Sequence, residues 1–427
     1  MDYRSLSHEQ LEALDASLTE EYETFCAEKL NLDLTRGKPA SEQLDLSSAL
    51  DGILGGFYLL QDGTDVRNYG GILGIPEARA LGGEILDLPA SEVLVGGNSS
   101  LTLMYLYLDY MNVHAEDSWS REAAAAGSKI KFLCPVPGYD RHFTICEHLD
   151  IEMITVPLTD DGPDMDQVES PVASDPLIKG IWCVPKYSNP TGQTYSDETV
   201  SRLAALPSKA GKQFRIMWDN AYAVHDLTDN PDRLANLMEA ARNAGTADSV
   251  IMLASTSKVT FAGAGISFFG AIETNLKAFE HYLSAQIIGF DKVNQLRHVR
   301  FLRDRDTLAA HMSRHAEIIK PKFDRVLDTL DEKLGDTGIA EWTRPRGGYF
   351  ISVNTLPGLA SDVVKLAAEA GVKLTPAGAT FPYGVDPENS NIRIAPTFPS
   401  IDQLDKAMQV FVTCISLASV RSLLSQS

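Results

Sequence analysis

The feature of this sequence that most constrains the fold is a regular alternation of short apolar segments with helix-patterned segments between residues 92 and 273. Short apolar runs without polar alternation are typical of strands that are buried on both faces, as in parallel sheets covered by helices. The predicted strands are 92–97, 129–135, 151–158, 178–185, 215–222, 250–255 and 267–273. The pattern therefore predicts an α/β fold whose large domain contains a mostly parallel, seven-stranded sheet flanked by helices.

The segments on either side of this region predict a second, smaller α+β domain. Residues 5–30 carry apolar side chains at helical spacing, and residues 275–331 show helical patterning that predicts one long connecting helix. The smaller domain is predicted from a strand at 344–354, a helix at 362–370, a strand at 391–396 and a final helix from residue 401. We divide the chain into three parts: residues 1–45 form an N-terminal helix and arm that packs with the small domain, residues 46–290 form the large α/β domain, and residues 291–427 form the connecting helix and the small domain.

The charge balance argues against nucleic acid and anionic membranes as partners. The chain has 37 lysines and arginines against 58 aspartates and glutamates, a net charge of -21, and such a surface repels polyanions. The five cysteines are scattered without metal-ligand spacing, so we expect no metal site and a reducing compartment. The first residues lack the phases of a signal peptide, and the apolar stretch 410–420 is shorter than the roughly 20 residues that span a bilayer. We therefore expect a cytoplasmic protein.

Polar residues follow three consecutive predicted strands. Asn189 follows the fourth strand, Asp219 and Tyr222 lie at the end of the fifth, and Lys258 follows the sixth. Because ligands bind at the carboxyl ends of the strands in open parallel sheets, this placement predicts a ligand site. Each residue alone has a plainer interpretation: a turn asparagine before proline, a helix-capping aspartate or a solvated loop lysine. Their combination favours a functional site.

Taken in order, these motifs resemble those of fold-type I pyridoxal-phosphate aminotransferases. The motifs are Asn189-Pro190-Thr191-Gly192, Asp219 with Tyr222, and Ser257-Lys258. Within that family the sequence is most similar to the divergent aspartate aminotransferase subgroup, class I, type Ic. The signatures of that subgroup resemble segments 34–39, 136–142 and 261–265. The likeness extends from residue 34 to the last predicted strand.

The resemblance implies catalytic roles for Lys258, Asp219 and Tyr222. Lys258 would bind the aldehyde of pyridoxal 5'-phosphate covalently and later move the proton of the substrate's α-carbon. Asp219 would keep the pyridine nitrogen protonated, so that the ring can accept negative charge. Tyr222 and Asn189 would bind the cofactor's 3'-oxygen from opposite sides.

The resemblance also implies a stacked aromatic ring and a phosphate site. Tyr139 would lie flat on the pyridine ring with support from His142, although a plain core tyrosine is the alternative. Tyr69 resembles the tyrosine that family members contribute to the phosphate of the neighbouring subunit, which implies a homodimer with shared sites. The remaining phosphate donors would be backbone amides and hydroxyls at a helix start and near the lysine. These residues are Asn98, Ser99, Ser100, Ser255 and Ser257.

One position departs from the family pattern. Most members place an arginine seven or eight residues after the lysine to pair with the phosphate, and Gly265 and Ile266 occupy those positions here. Either the helix N-terminus and the hydroxyls suffice, or a cation such as Arg297 arrives from elsewhere in the chain or from a partner subunit. The residues alone do not choose between these alternatives.

Substrate binding is implied for Arg393, Gly37 and Asn189. Arg393 resembles the family arginine that binds the substrate's α-carboxylate, and Gly37 would let the backbone approach the same group. The alternative for Arg393 is a salt-bridged arginine on an edge strand. A dicarboxylic substrate needs a second cation, for which the candidates are Arg36, Arg141 and Arg297. The first of these is favoured because it precedes Gly37 directly.

The function implied by the resemblance is transamination by a ping-pong cycle. The expected substrates are aspartate and 2-oxoglutarate, and the expected products are oxaloacetate and glutamate. The alternatives are an aminotransferase for alanine or an aromatic amino acid, and a pyridoxal-phosphate-dependent lyase on the same fold. A ligand-sensing module of a transcription regulator is disfavoured. Those regulators carry a basic DNA-binding domain before the aminotransferase part, whereas this chain is strongly acidic.

Overall fold

The computed structural model describes residues 2–35 and 37–426 of the chain. The strands in this part are β1 (Leu32–Asp33), β2 (Val93–Gly96), β3 (Lys131–Val136), β4 (Glu152–Thr159), β5 (Gly162–Pro163), β6 (Ile178–Cys183), β7 (Arg215–Asp219), β8 (Val250–Ser255), β9 (Ser267–Gly270), β10 (Ala340–Trp342), β11 (Ile351–Thr355), β12 (Val372–Lys373) and β13 (Asn391–Ile394). The α-helices are α1 (His8–Ala27), α2 (Ser41–Asp45), α3 (Pro76–Leu86), α4 (Ser100–Asp109), α5 (Trp119–Ala126), α6 (Asp140–His148), α7 (Met165–Ser174), α8 (Asp197–Ala205), α9 (Leu237–Ala244), α10 (Glu273–Leu283), α11 (Lys292–Leu302), α12 (Arg305–Leu334), α13 (Ala360–Glu369) and α14 (Ile401–Gln426).

The large sheet contains eight strands in the order β2-β9-β8-β7-β6-β3-β4-β5. Strands β8, β7, β6, β3 and β4 pair in parallel, whereas β9 runs antiparallel to both of its neighbours. All seven strands predicted for the large domain are present, and the eighth is the two-residue edge strand β5. The carboxyl ends of β6, β7 and β8 lie side by side, because Cys183 pairs with Trp218 and Asp219 pairs with Leu253.

Both faces of this sheet are covered by helices. Successive residues of a strand point to opposite faces, and in β7 Trp218 belongs to one buried apolar cluster while Met217 belongs to another. Every residue of β6, β7 and β9 is buried, which explains why these strands are mostly apolar and do not alternate with polar residues. The predicted α/β architecture is confirmed.

The connection between the domains differs from the predicted single helix. It consists of α10, α11 and α12. The Asp291 side chain accepts a hydrogen bond from the backbone of Asn294, and the Asp304 side chain accepts one from Thr307, so each aspartate caps a new helix. Between them, Arg303 has a φ of 49° and ends α11. The prediction of one long helix was wrong because apolar spacing does not show where one helix stops, whereas the capping aspartates do.

The small domain is built around a three-stranded antiparallel sheet in the order β10-β11-β13. The predicted strand at 344–354 corresponds only to β11, because residues 343–350 form an irregular connection in which Gly347 packs directly against the ring of Tyr187. Helix α1 packs along α14, and β1 pairs in parallel with β12. The division of the chain at residues 45 and 290 stays our proposal.

Helix α14 is the central helix of the small domain. It is longer than the apolar stretch 410–420, and within the described residues it is the one helix that could span a membrane by length and composition. However, 72% of its apolar window is buried inside the protein, where it packs against α1, α12 and α13. These contacts identify α14 as a core helix.

Candidate active site

A cavity of about 310 Å³ lies where the carboxyl ends of β6, β7 and β8 meet the start of α4. Ten of the residues predicted from the sequence line it together. They are Asn98, Ser99, Ser100, Tyr139, Asn189, Asp219, Tyr222, Ser255, Ser257 and Lys258. The parallel strands explain this convergence, since residues that follow neighbouring strands must meet at one edge of the sheet.

Asp219 ends β7 and is only 2% exposed. One of its carboxylate oxygens, Oδ2, lies 3.0 Å from Nε2 of His142. The imidazole of His142 stacks on Trp182 at 4.1 Å between ring centroids and meets the edge of Tyr139 at 5.0 Å. From the sequence, His142 is expected only to support Tyr139, and the contact with Trp182 is not predicted. These contacts fix the orientation of the Asp219 carboxylate.

The other carboxylate oxygen, Oδ1 of Asp219, is buried and has no hydrogen-bond partner among the residues that the structure describes. A buried anionic oxygen without a donor is unfavourable, so the site fits a ligand that brings a donor to this point. The protonated pyridine nitrogen of pyridoxal phosphate is such a donor. When bound, that cofactor supplies an aldehyde that takes up amino nitrogen and a ring that withdraws electrons from the substrate's α-carbon. The donor set of the cavity therefore fits this cofactor.

Lys258 lies in the loop after β8, with its Nζ 5.1 Å from the centroid of the Tyr222 ring and 5.8 Å from that of Tyr349. Burial lowers the pKa of Lys258, and the charge of Asp219 opposes this shift without reversing it. A lowered pKa increases the fraction of neutral amine at neutral pH. Only the neutral amine acts as a nucleophile or a base, so the environment favours both functions.

Two buried tyrosines complete the walls around the lysine. Burial raises the pKa of Tyr139 and raises that of Tyr222 well above its usual value. The nearby negative charge of Asp219 acts in the same direction on both phenols. Both side chains therefore keep their protons at neutral pH, and the Tyr222 hydroxyl can donate a hydrogen bond to a ligand oxygen.

The opposite end of the cavity is lined with hydroxyls and helix-terminal amides. The Ser257 Oγ donates to the carbonyl of Asn98 (2.8 Å), and the Ser255 Oγ lies 3.1 Å from the Ser257 Oγ. Ser99 precedes the first residue of α4, and its side chain makes no capping bond. The first N–H groups of a helix have no intrahelical acceptor and carry partial positive charge. This end of the cavity is therefore suited to a phosphate.

No arginine lines the cavity among the residues that the structure describes. At the family's arginine position, the Ile266 side chain is buried and its N–H donates to Thr256 Oγ1 at 2.9 Å. Arg297 instead donates to the carbonyl of Leu50 (3.1 Å) and pairs with Asp51 (3.0 Å). Within one chain, Arg297 is therefore held away from the phosphate end of the cavity.

Arg393 on β13 is 7% exposed and contacts the cavity wall. Its Nη1 donates to Oδ1 of Asn189 and to Oδ1 of Asp140, each at 3.2 Å, and its guanidinium carbon lies 4.8 Å from the Phe350 ring centroid. A Cβ atom on Gly37 would lie 2.5 Å from the tip of that ring. From the sequence, Gly37 is expected to let the backbone approach the substrate. The structure gives a different reason for glycine at this position, because a side chain here would displace the Phe350 ring from beneath Arg393.

Two of the predicted residues lie outside this cluster, and a third cannot be placed. Tyr69 is 85% exposed and lies away from the cavity. Arg141 is exposed on α6, next to the site. Arg36 falls outside the described residues. The predicted phosphate contact of Tyr69 therefore needs a second subunit.

A buried hydrogen-bond network behind the lysine was not predicted. The Gln43 Nε2 donates to the Tyr349 hydroxyl (2.8 Å) and lies 3.1 Å from Nδ1 of His315. The Tyr349 hydroxyl donates to the carbonyl oxygen of Lys258 (3.4 Å), and His311 Nε2 lies 2.7 Å from the carbonyl oxygen of Val259. The network links the N-terminal arm and α12 to the lysine loop. The only local signal for it is the spacing of the two histidines, four residues apart on one helix face.

The comparisons with known proteins agree with this geometry. A family model described as "Aspartate amino-transferase" matches residues 6–427. The aspartate aminotransferase of Corynebacterium glutamicum is 43% identical over 416 residues, which cover 96% of this chain and 95% of that protein. A Mycolicibacterium smegmatis protein is 48% identical over 431 residues, or 99% of each chain. Its name describes it provisionally as an aminotransferase and gives no substrate.

Solved structures show the same likeness. The crystal structure of an aspartate transaminase from Corynebacterium glutamicum superposes with a TM-score of 0.94 at 42% identity and covers 99% of both chains. The structure of LysN, the alpha-aminoadipate aminotransferase of Thermus thermophilus complexed with N-(5'-phosphopyridoxyl)-L-leucine, superposes with a TM-score of 0.74 at 22% identity over 93% of this chain and 94% of that one, which shows the shared fold. The chain therefore belongs to the aspartate aminotransferase family, whose fold-type I members use pyridoxal 5'-phosphate and act on amino and 2-oxo acids.

Proposed function

We propose that this protein transfers the amino group of aspartate to 2-oxoglutarate by a ping-pong mechanism. The observation that carries the transamination chemistry is that Lys258 and the half-satisfied carboxylate of Asp219 line one cavity, while Arg393 donates to Asn189 in the wall of that cavity. The preference for aspartate is supported by the similarity to the Corynebacterium glutamicum aspartate aminotransferase. Both half-reactions would use the same residues, because the second runs the first in reverse with another 2-oxo acid.

Each residue of the cavity has a defined task in this proposal. Lys258 takes the proton from the substrate's α-carbon and returns it at the carbon that was the cofactor's aldehyde. Asp219 keeps a proton on the ring nitrogen, and Tyr139 holds the plane of the ring. Asn189 and Tyr222 bind the cofactor's 3'-oxygen. These assignments explain why a transaminase needs all five groups within one small cavity.

The distal carboxylate of aspartate needs a positive charge that the described cavity does not yet supply. Arg393 is assigned to the α-carboxylate, and Lys258 must lose its charge to react. Arg141 lies one residue after Asp140, and its charge acts on the buried phenol of Tyr139. We therefore propose Arg141 and Arg36 as the two candidates within the chain, since Asp51 holds Arg297 away from the cavity of its own subunit.

The substrate proposal is tested by spectra of the cofactor-loaded protein after addition of aspartate, alanine or phenylalanine. We expect aspartate to convert the cofactor to its aminated form fastest. We also expect Arg36→Gln or Arg141→Gln to raise the KM for aspartate about 10- to 100-fold, since a charge-assisted hydrogen bond contributes about 1.5–3 kcal/mol. The control variant Arg421→Gln, which removes an arginine that pairs with Asp15 and has no task in the proposal, should leave that KM unchanged. Faster conversion by alanine or phenylalanine in the wild type would keep transamination and overturn the aspartate assignment. Release of ammonia or carbon dioxide from the amino acid would instead support the lyase alternative.

We further propose a homodimer in which each subunit completes the other's phosphate site through Tyr69. Tyr69 is 85% exposed. Three large apolar residues, Phe57, Leu59 and Ile288, are exposed as well. Gly289 packs against the backbone of Gly70, which places Ile288 near Tyr69. Burial of these apolar side chains by a second copy of the chain would stabilise the dimer.

Mixed dimers distinguish a shared site from a self-contained one. We expect Tyr69→Ala and Lys258→Ala homodimers to be impaired separately and to regain activity when their subunits are mixed. In a mixed dimer, one site combines the intact Lys258 of one subunit with the intact Tyr69 of the other, so up to half of the sites in that dimer would be complete. Activity is measured after co-expression with two affinity tags. A purified mixed dimer without restored activity would show that Tyr69 does not act across the interface.

A further inference from the structure

We propose that Asp140 is a positioning residue for Arg393, which it holds so that the free edge of the guanidinium meets the substrate's α-carboxylate. The inference rests on the proposed function, in which Arg393 binds that carboxylate. Asp140 is the first residue of α6 and lies within the subgroup signature, yet neither the motif nor the mechanism gives it a task. Its side chain is 36% exposed and reaches across the domain boundary to β13.

The contacts of Arg393 divide the guanidinium into a bound side and a free side. Nη1 is shared by Oδ1 of Asp140 and Oδ1 of Asn189, both at 3.2 Å. Nε is buried and, within residues 2–35 and 37–426, has no hydrogen-bond partner. A buried donor without an acceptor is unfavourable, so the Nε side is where a ligand oxygen is needed. A carboxylate binds a guanidinium best through two parallel hydrogen bonds, which the Nε and Nη2 edge provides.

The two oxygen acceptors have different consequences for the arginine. The ring of Phe350 packs against the face of the guanidinium at 4.8 Å and limits its tilt, but it leaves rotation within the plane free. Hydrogen bonds from Nη1 to two acceptors fix that rotation. Asn189 does so without charge, whereas Asp140 also balances the buried charge of Arg393 before substrate arrives. The acceptor oxygen of Asp140, more than its charge, sets the orientation.

Two substitutions at position 140 separate orientation from charge. Asp140→Asn keeps an acceptor oxygen and removes the charge, whereas Asp140→Ala removes both. We expect Asp140→Ala to raise the KM for the amino acid about 10-fold, equivalent to about 1.4 kcal/mol, and to change kcat less than about 3-fold. We expect Asp140→Asn to restore the KM to within about 3-fold of the wild type. Binding of succinate, an unreactive dicarboxylate, to the holoenzyme should follow the same order in calorimetry.

The matched control is Asp197→Ala, because Asp197 is also the first residue of a helix, α8. This variant measures the effect of losing an acidic residue at a helix N-terminus, apart from any contact with Arg393. Equal weakening of succinate binding in both Asp140 variants, or no weakening in either, would overturn the positioning role. Arg393→Gln separates this inference from the proposed function. If Arg393→Gln weakens succinate binding and Asp140→Ala does not, only the role of Asp140 fails; if Arg393→Gln has no effect, the proposed carboxylate site fails with it.

Discussion

Replacing Lys258 by alanine is expected to lower the rate of transamination by about 10⁴-fold or more. The reason is that one amine serves twice, as the group that binds the cofactor covalently and as the base that moves the α-proton, and neither function has a substitute in the cavity. The folded protein should survive the change, because burial already disfavours the charged form of this amine. Single-turnover rates with aspartate measure the effect.

Two further variants sharpen this prediction. Lys258→Arg keeps a cation at the same place, but a guanidinium does not lose its proton at neutral pH, so the variant should be as inactive as Lys258→Ala. Lys277→Ala removes an exposed lysine on α10 and should be fully active. Activity of Lys258→Arg above about 10% of the wild type would contradict a role in which the lysine exchanges a proton.

The second large effect is expected at Asp219. Asp219→Asn should lower the rate about 10³-fold, because a neutral amide no longer holds a proton on the ring nitrogen of the cofactor. The free energy of unfolding of the cofactor-free protein should not fall, since Oδ1 is buried without a partner and the substitution removes an unfavourable buried charge. Half-reaction rates and thermal unfolding of the cofactor-free protein measure the two effects.

His142 provides the matched comparison for Asp219. His142→Asn removes the 3.0 Å contact to Oδ2 but leaves the carboxylate and its charge in place. We therefore expect a loss of about 10-fold, much smaller than that of Asp219→Asn. Equal losses in the two variants would mean that the charge of Asp219 is not what the reaction uses.

The sequence was sufficient to predict the part of the site that lies on one sheet. Asn189, Asp219 and Lys258 follow β6, β7 and β8, and parallel strands bring such positions together whatever the loops between them do. The strands themselves were predictable because burial on both faces leaves a continuous apolar run. The catalytic roles of these residues were implied by the resemblance of the motifs to those of the family, because spacing alone does not assign a role.

The contacts that cross between the domains were not predictable. Asp140 and Arg393 are 253 positions apart, and their contact depends on how the small domain packs against the large one. The same is true of Gln43, whose hydrogen bonds to Tyr349 and to His315 span 306 and 272 positions. No local pattern encodes such a distance. The Trp182 ring beneath His142 was missed for a related reason, because it reads simply as part of the buried run of β6.

The most direct test of this account is to find which lysine binds the cofactor. The wild-type protein is loaded with pyridoxal phosphate, reduced with borohydride so that hydride converts the carbon–nitrogen double bond into a stable single bond, digested, and analysed by peptide mass spectrometry. We expect the phosphopyridoxyl group on the peptide that contains Lys258 and on no other. Modification at a different lysine, such as Lys186, which does not line the cavity, or an unmodified Lys258 peptide, would contradict the assignment on which the proposed mechanism depends.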